Sequence, residues 1–328
     1  MKYYQNMLKL VGKTPLVKIN ILNPNPKVTI FAKLEKFNPS GSVKARIAIS
    51  MIENAEKTGD LTFDKIVIES SSGNTGIALA MCCAVKGYAC EIVMPENMSI
   101  ERRKIIIIYG AKVTLTPADR GTDGAIDYVK KKVSENPEKY FSTNQFSNKY
   151  NQLAHYHQTA SEILDDTDGE IDVFIAGMGT SGTLMGVSKR LKEFNQKIQI
   201  IAVEPEEKSL IPGLKSLHIS YIPGIYDKSL ISEEVHVSRK DSEHATRMLA
   251  LQEGIFCGIS SGAVMHVAML KAQKMKNGTI IVLFPDSGEK YISDPIFLPE
   301  KCLECAKICR IRTLWDDDYI KSIKKWWK

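Results

Sequence analysis

The sequence predicts an α/β protein built on doubly wound, mostly parallel sheets. Three observations carry this. Short β-rich runs alternate with helical stretches along most of the chain. Those runs are nearly continuous in apolar residues, as strands buried on both faces are. No internal repeat or low-complexity segment breaks the alternation.

Taken in order, β-rich runs lie at 28–32, 65–69, 90–94, 113–115, 173–176, 198–203 and 279–284. Stretches of helical composition lie between them at 76–85, 100–109 and 183–194. Strand–helix–strand repetition gives a parallel sheet with helices on both faces. Ligands in such sheets sit at the carboxyl ends of strands, in the loops that follow.

The 328 residues suffice for one large core or two ordinary domains. With 44% hydrophobic and 25% charged residues, the composition is that of a soluble globular protein. The net charge of +6 is modest and its lysines are spread along the chain, which points to anionic small ligands rather than to nucleic acid. A basic aromatic run, 321–328, reads as a helix end or solvated tail. The N-terminus has no apolar signal core, and no apolar run approaches the ~20 residues of a membrane helix. Seven cysteines, an odd number in a mid-sized chain, argue against a disulfide framework. The expectation is a cytoplasmic protein.

Four loops carry chemistry. In the first, Asn38-Pro39-Ser40-Gly41-Ser42-Val43-Lys44, a turn precedes a helix that Ser40 or Ser42 can cap. Lys44 then falls in the first helical turn, where positive partial charge depresses an amine pKa. An ordinary exposed lysine is the plain alternative. The second loop, Ser70-Ser71-Ser72-Gly73-Asn74-Thr75-Gly76, follows a strand and opens a helix, a nest for a carboxylate. The third, Gly177-Met178-Gly179-Thr180-Ser181-Gly182-Thr183, can cradle a phosphate on backbone donors. It also spells G-x-G-x-x-G with Glu204 further on, so an NAD-dependent dehydrogenase is a rival reading. Three hydroxyls suit a terminal monoester phosphate better than a pyrophosphate. The fourth, Cys257-Gly258-Ile259-Ser260-Ser261-Gly262, offers a neutral hydroxyl to a pyridine nitrogen or simply an N-cap.

Together the four loops, framed by Val11-Gly12-Lys13-Thr14-Pro15-Leu16 and Pro285-Asp286-Ser287-Gly288-Glu289-Lys290-Tyr291, resemble the fold-type II enzymes dependent on pyridoxal 5'-phosphate (PLP). The resemblance is to the O-acetylserine sulfhydrylase and cystathionine β-synthase branch, and it spans nearly the whole chain. It implies two three-layer α/β/α domains of the tryptophan synthase β type. Residues 1–40 with 147–328 form the larger, cofactor-binding one, and 41–146 the smaller, mobile one. By the same resemblance Lys44 is the Schiff-base lysine and Asn74 meets the cofactor's ring hydroxyl. Gly179, Thr180, Ser181, Gly182 and Thr183 hold the phosphate, and Ser260 faces the pyridine nitrogen. Ser71, Ser72, Asn74, Thr75 and Gln145 hold the substrate carboxylate.

The implied activity is β-replacement through an α-aminoacrylate, making L-cysteine from O-acetyl-L-serine and sulfide. The segments 209–214, 221–226 and 253–258 resemble the B-type isozyme, which also accepts thiosulfate to give S-sulfocysteine, and Lys215 is the nearest equivalent of its basic residue. A homodimer and a serine acetyltransferase partner are further implications. Cystathionine β-synthase or O-phosphoserine sulfhydrylase chemistry is the near alternative, and a non-catalytic scaffold the distant one. The sequence departs from the family at Ser181 (usually glycine), at Ala45 (usually aspartate), at 148–151 and at 159–162. Cys302, Cys305 and Cys309 lie outside the family pattern. They read as a buried helical stripe, with a metal site as the minor alternative and no metal expected.

Overall fold

The computed structural model describes residues 1, 3–71, 73–207, 209–217 and 222–297. Ten strands occur among them: β1 (Leu16–Ile19), β2 (Val28–Leu34), β3 (Ile66–Ser70), β4 (Cys90–Pro95), β5 (Lys112–Thr116), β6 (Tyr140–Ser142), β7 (Val173–Gly177), β8 (Gln199–Pro205), β9 (Glu233–Val237) and β10 (Gly278–Phe284). They form two sheets. The larger runs β1-β2-β10-β7-β8-β9, parallel except for β1. The smaller runs β5-β4-β3-β6 and is wholly parallel.

The α-helices are α1 (Lys44–Thr58), α2 (Asn74–Lys86), α3 (Ile100–Ile108), α4 (Gly121–Glu135), α5 (Lys149–Ala154), α6 (Ala160–Asp166), α7 (Gly182–Phe194), α8 (Arg239–Glu253) and α9 (Ile259–Lys274). Both sheets are covered on both faces. Along β10, Ile280, Val282 and Phe284 pack into one apolar cluster with α8 and α9, while Ile281 and Leu283 pack into another with α7. Period-2 alternation between two dry faces explains why this strand reads as an unbroken apolar run. In the smaller sheet, Val67 and Ile92 face α1 and α2, and Ile68 and Val93 face α4.

All seven β-rich runs read from the sequence are strands. The sequence reading missed β1, β6 and β9, and all three are sheet edges. An edge strand lacks one neighbour and needs no two-sided apolar run. The charged start of β9, Glu233 and Glu234, is typical of a guarded edge. Between α5 and α6 one turn, His155–Thr159, is a π-helix. Such bulges are frequent at functional sites.

One polar cluster joins α1 to the larger sheet. The Arg46 guanidinium, fully buried, pairs with Glu35 (Nε–Oε2, 2.7 Å) and with Glu162 of α6 (Nη1–Oε1, 2.6 Å). Thr14 Oγ1 donates to Glu35 (2.7 Å) and accepts from Arg46 (3.1 Å). Lys33 on β2 reaches Glu162 (3.1 Å), Asp166 (2.8 Å) and the Thr14 carbonyl (2.6 Å). Burial opposes the Arg46 charge, but Glu35 and Glu162 outweigh it and hold the guanidinium pKa above its ordinary value. Burial likewise opposes the Glu162 carboxylate, yet Arg46 lowers its pKa to about 2.

Removing one partner of such a cluster strands buried charge, which costs about 3–5 kcal/mol. Arg46→Met should lose stability of that order in urea unfolding at pH 7. Glu162 has a depressed folded-state pKa, so its contribution is complete above the ordinary carboxylate pKa of 4.5 and disappears as pH falls through about 2. The gap between wild type and variant should therefore narrow in that acid window. A constant gap would contradict this account of the cluster.

Candidate active site

The carboxyl ends of both sheets open on one cleft of about 480 Å³, and a smaller chamber of about 40 Å³ adjoins it. Lys44, Gly179, Thr180 and Ser260 line both.

Lys44 is the first residue of α1. The loop before it is stitched to the end of β10: Val43 N donates to Pro285 O (2.8 Å), and Ser42 pairs with Asp286. Neither expected serine caps the helix by side chain. The N-cap residue is Val43, in helical conformation, and the Lys44 N–H finds Ser42 Oγ at 3.3 Å. Lys44 is half-buried because its side chain opens into the cleft. Its pKa is lowered from 10.5 to about 8. The cause corrects the sequence reading. Loss of hydration dominates rather than the helix terminus, and the charge of Asp286, then that of Glu35, opposes the shift.

The third loop forms the chamber. Gly179 through Thr183 run from the end of β7 into α7 and line it. Ser181 has a left-handed φ of 64°, a conformation that favours glycine, and its buried Oγ has no hydrogen-bond partner. That backbone explains why glycine is usual there. A Cβ on Gly182 would lie 1.8 Å from Asn151 Oδ1, so no larger residue fits. Asn151 in turn donates to Thr180 Oγ1 (3.0 Å) and to the Gln145 carbonyl (2.7 Å). Thr183 Oγ1 meets His155 Nε2 at 3.2 Å, and His155 Nδ1 meets Thr159 Oγ1 at 3.0 Å. Burial first, then the charges of Lys44 and Arg46, keep His155 neutral with a pKa well below its ordinary value. His155 gave no signal in the sequence, since it enters only through the π turn.

The second loop lies across the cleft. Ser71 Oγ accepts the Gly76 N–H (2.9 Å) and keeps its own hydrogen to donate. Thr75 Oγ1 donates to Gln145 Oε1 (2.8 Å), and Gln145 Nε2 donates to the Ser70 carbonyl (3.1 Å). Asn74 is held between Asp286 and Lys290, residues the sequence had shown only within a terminal motif. Ser72 lies outside the described residues, as do Cys302, Cys305 and Cys309. Ser260, at the second position of α9, is nearly fully buried. The N-cap there is Gly258 and no side chain caps the helix, so the capping role considered for this loop is not the one Ser260 has. Lys215 is half-buried, with its ammonium 4.2 Å from the centre of the Phe146 ring. Burial lowers its pKa, against the pull of Asp123.

Glu204, the acidic residue of the dehydrogenase reading, is buried and accepts the Leu217 N–H (2.9 Å). It is committed to its own loop.

A family model described as pyridoxal-phosphate dependent enzyme matches residues 7–286. The chain belongs to that family. It is 45% identical over 304 residues to a cysteine synthase of Aquifex aeolicus, covering 90% of this chain and 93% of that one. It is 41% identical over 298 residues to cysteine synthase B of Escherichia coli, covering 91% and 98%. The crystal structure of a cysteine synthase from Entamoeba histolytica superposes with a TM-score of 0.86 at 38% identity, covering 99% of this chain and 96% of that one. The enzyme is thus PLP-dependent, and the site fits the cofactor. It offers an amine of low pKa, a helix N-terminus with an orphaned buried hydroxyl at Ser181, and a neutral hydroxyl at Ser260.

In the cofactor-free protein Lys44 should be about half neutral at pH 8. Competitive amine labelling across pH, with peptide mapping, should give Lys44 a midpoint near 8. A midpoint near 10.5 would show an amine that is not desolvated. Mapping separates it from Lys290, which burial also lowers to about 8.

Proposed function

We propose that this chain is a cysteine synthase that replaces the acetoxy group of O-acetyl-L-serine with sulfide, releasing L-cysteine and acetate. The observation that carries the reading is Lys44, a desolvated amine between a phosphate-type cradle and a carboxylate-type loop. In this reading Lys44 carries the cofactor, which the backbone of Gly179 through Thr183 would hold by its phosphate, Ser260 at the ring nitrogen and Asn74 at the ring oxygen. When bound, the cofactor supplies an electron sink for charge at the substrate's α-carbon.

The remaining steps belong to the chain's own residues. The substrate carboxylate docks on the loop of Ser71, Ser72, Asn74 and Thr75 with Gln145. Ser71 Oγ–H and the second Gln145 N–H are donors left for it. Thr75 has given its hydrogen to Gln145, so it acts chiefly by aiming that amide. Lys44 Nζ takes the α-proton, acetate leaves from the β-carbon, sulfide adds there, and Lys44 returns the proton. A pKa near 8 suits a base at neutral pH. The unit of residues 41–146, which carries the second loop, closes on the rest and excludes water. Thiosulfate as a second donor, received by Lys215, deepens the same reading, since its ammonium already faces the cleft. A homodimer, a serine acetyltransferase partner and a cytoplasmic home accompany it. Among the described residues no helix is long and apolar enough to cross a membrane.

Purified holoenzyme given O-acetylserine and sulfide should form cysteine with release of acetate, and Lys44→Ala should slow this by about 10²–10⁴-fold. No cysteine from the wild type would overturn the reading. With thiosulfate, Lys215→Ala should raise KM while leaving sulfide turnover intact. Equal kinetics on both donors would remove Lys215 from the site.

A further inference from the structure

Asn74 lines the cleft at the start of α2, and both ends of its side-chain amide are held. Nδ2 donates to Asp286 Oδ2 (2.6 Å), and Oδ1 accepts from Lys290 Nζ (2.8 Å). The holders are themselves fixed. The same Asp286 oxygen accepts the Tyr291 hydroxyl (2.7 Å). The other Lys290 donors go to the Ser40 and Gly41 carbonyls, each at 3.0 Å. Two glycines make room. Gly41 has a φ of +69° and a Cβ there would lie 3.3 Å from Lys290 Nζ, while a Cβ on Gly258 would lie 2.1 Å from Asp286 Oδ1. At 1% and 6% exposure, Asp286 and Lys290 act on Asn74 with little screening by water.

An amide is usually free to turn by 180°. Here a turn would set its oxygen against a carboxylate and its NH₂ against an ammonium. Charge on both sides therefore fixes the orientation. With one Nδ2 hydrogen on Asp286 and the other beside the Tyr291 oxygen, the amide nitrogen presents only donors, and an N–H, there or on a ligand, can meet only an acceptor.

We propose that Asp286 and Lys290 are positioning residues that lock the Asn74 amide as a hydrogen-bond donor to the cofactor, so that the cofactor's ring oxygen is received in its ionised, acceptor form. This rests on the reading that Asn74 meets that oxygen.

The test uses holoenzyme and two readouts besides turnover: the absorbance spectrum of the bound cofactor and its dissociation constant. Lys290→Met and Asp286→Ala should each shift absorbance from the long-wavelength band of an ionised ring oxygen toward the shorter-wavelength band of a neutral one. Each should weaken cofactor binding about tenfold, as loss of a charge-assisted hydrogen-bond chain does. Lys290→Arg should restore the wild-type spectrum. The double variant Asp286→Asn/Lys290→Met leaves no unpaired buried charge and reads the same shift if a single variant fails to fold. Asn74→Ala separates the two layers. If it shifts the spectrum while folded variants at 286 and 290 do not, the lock is wrong and the Asn74 contact stands. If Asn74→Ala changes neither readout, the contact itself fails, and the lock with it.

Discussion

The buried pairing of Arg46 with Glu35 and Glu162 is the constraint on which the site's geometry depends. Arg46 lies two residues after Lys44, on the first turn of α1. Its guanidinium is anchored to the short 3₁₀ turn Glu35–Phe37 that follows β2 and to α6, both outside the smaller sheet. A buried ion cluster of this kind contributes little net stability over an apolar substitute, but it tolerates only one geometry. The direction of α1 is thereby set relative to the larger sheet, and with it the point where the Lys44 side chain enters the cleft. Lys33, fully buried on β2, extends the cluster to Asp166 and completes the anchoring of α6.

From that anchor the site is assembled by short, directed contacts. The loop after β10 grips the segment before α1 through Pro285 and Asp286, and grips α2 through Asn74. Asn151 ties the helix before the π turn to the phosphate-type loop, and His155 ties that turn to Thr183. The polar groups facing the cleft are thus oriented by neighbours that do not themselves need to touch a ligand. Such preorganisation keeps reorganisation small when charge develops in a reaction. The depressed Lys44 pKa belongs to the same arrangement: a half-buried amine that loses hydration in the cleft wall, but is kept from falling further by Asp286.

Much of this was legible in the sequence, for identifiable reasons. The central strands show themselves because two dry faces demand unbroken apolar runs, as in β7 and β10. The edges β1, β6 and β9 meet no such demand and leave no signal. The glycine- and hydroxyl-rich loops at 70–76 and 177–183 stand out because anion-binding backbone requires small residues and helix starts. The position of Lys44 at a helix start was legible, but the reason for its low pKa was not. Desolvation is a property of the assembled cleft, whereas the helix terminus is visible in one dimension. His155, Asp286 and Lys290 act through partners 28 to 216 residues away, and no local pattern announces such contacts.

The central claim is that Lys44, and no other amine of the cleft, carries the cofactor. Holoenzyme reduced with borohydride, digested and mapped by mass spectrometry tests it directly. The account predicts a cofactor-derived mass increment on the peptide containing Lys44. An increment on Lys215, the other lysine lining the cleft, on Lys290, the buried amine behind Asn74, or on no lysine at all, would contradict it.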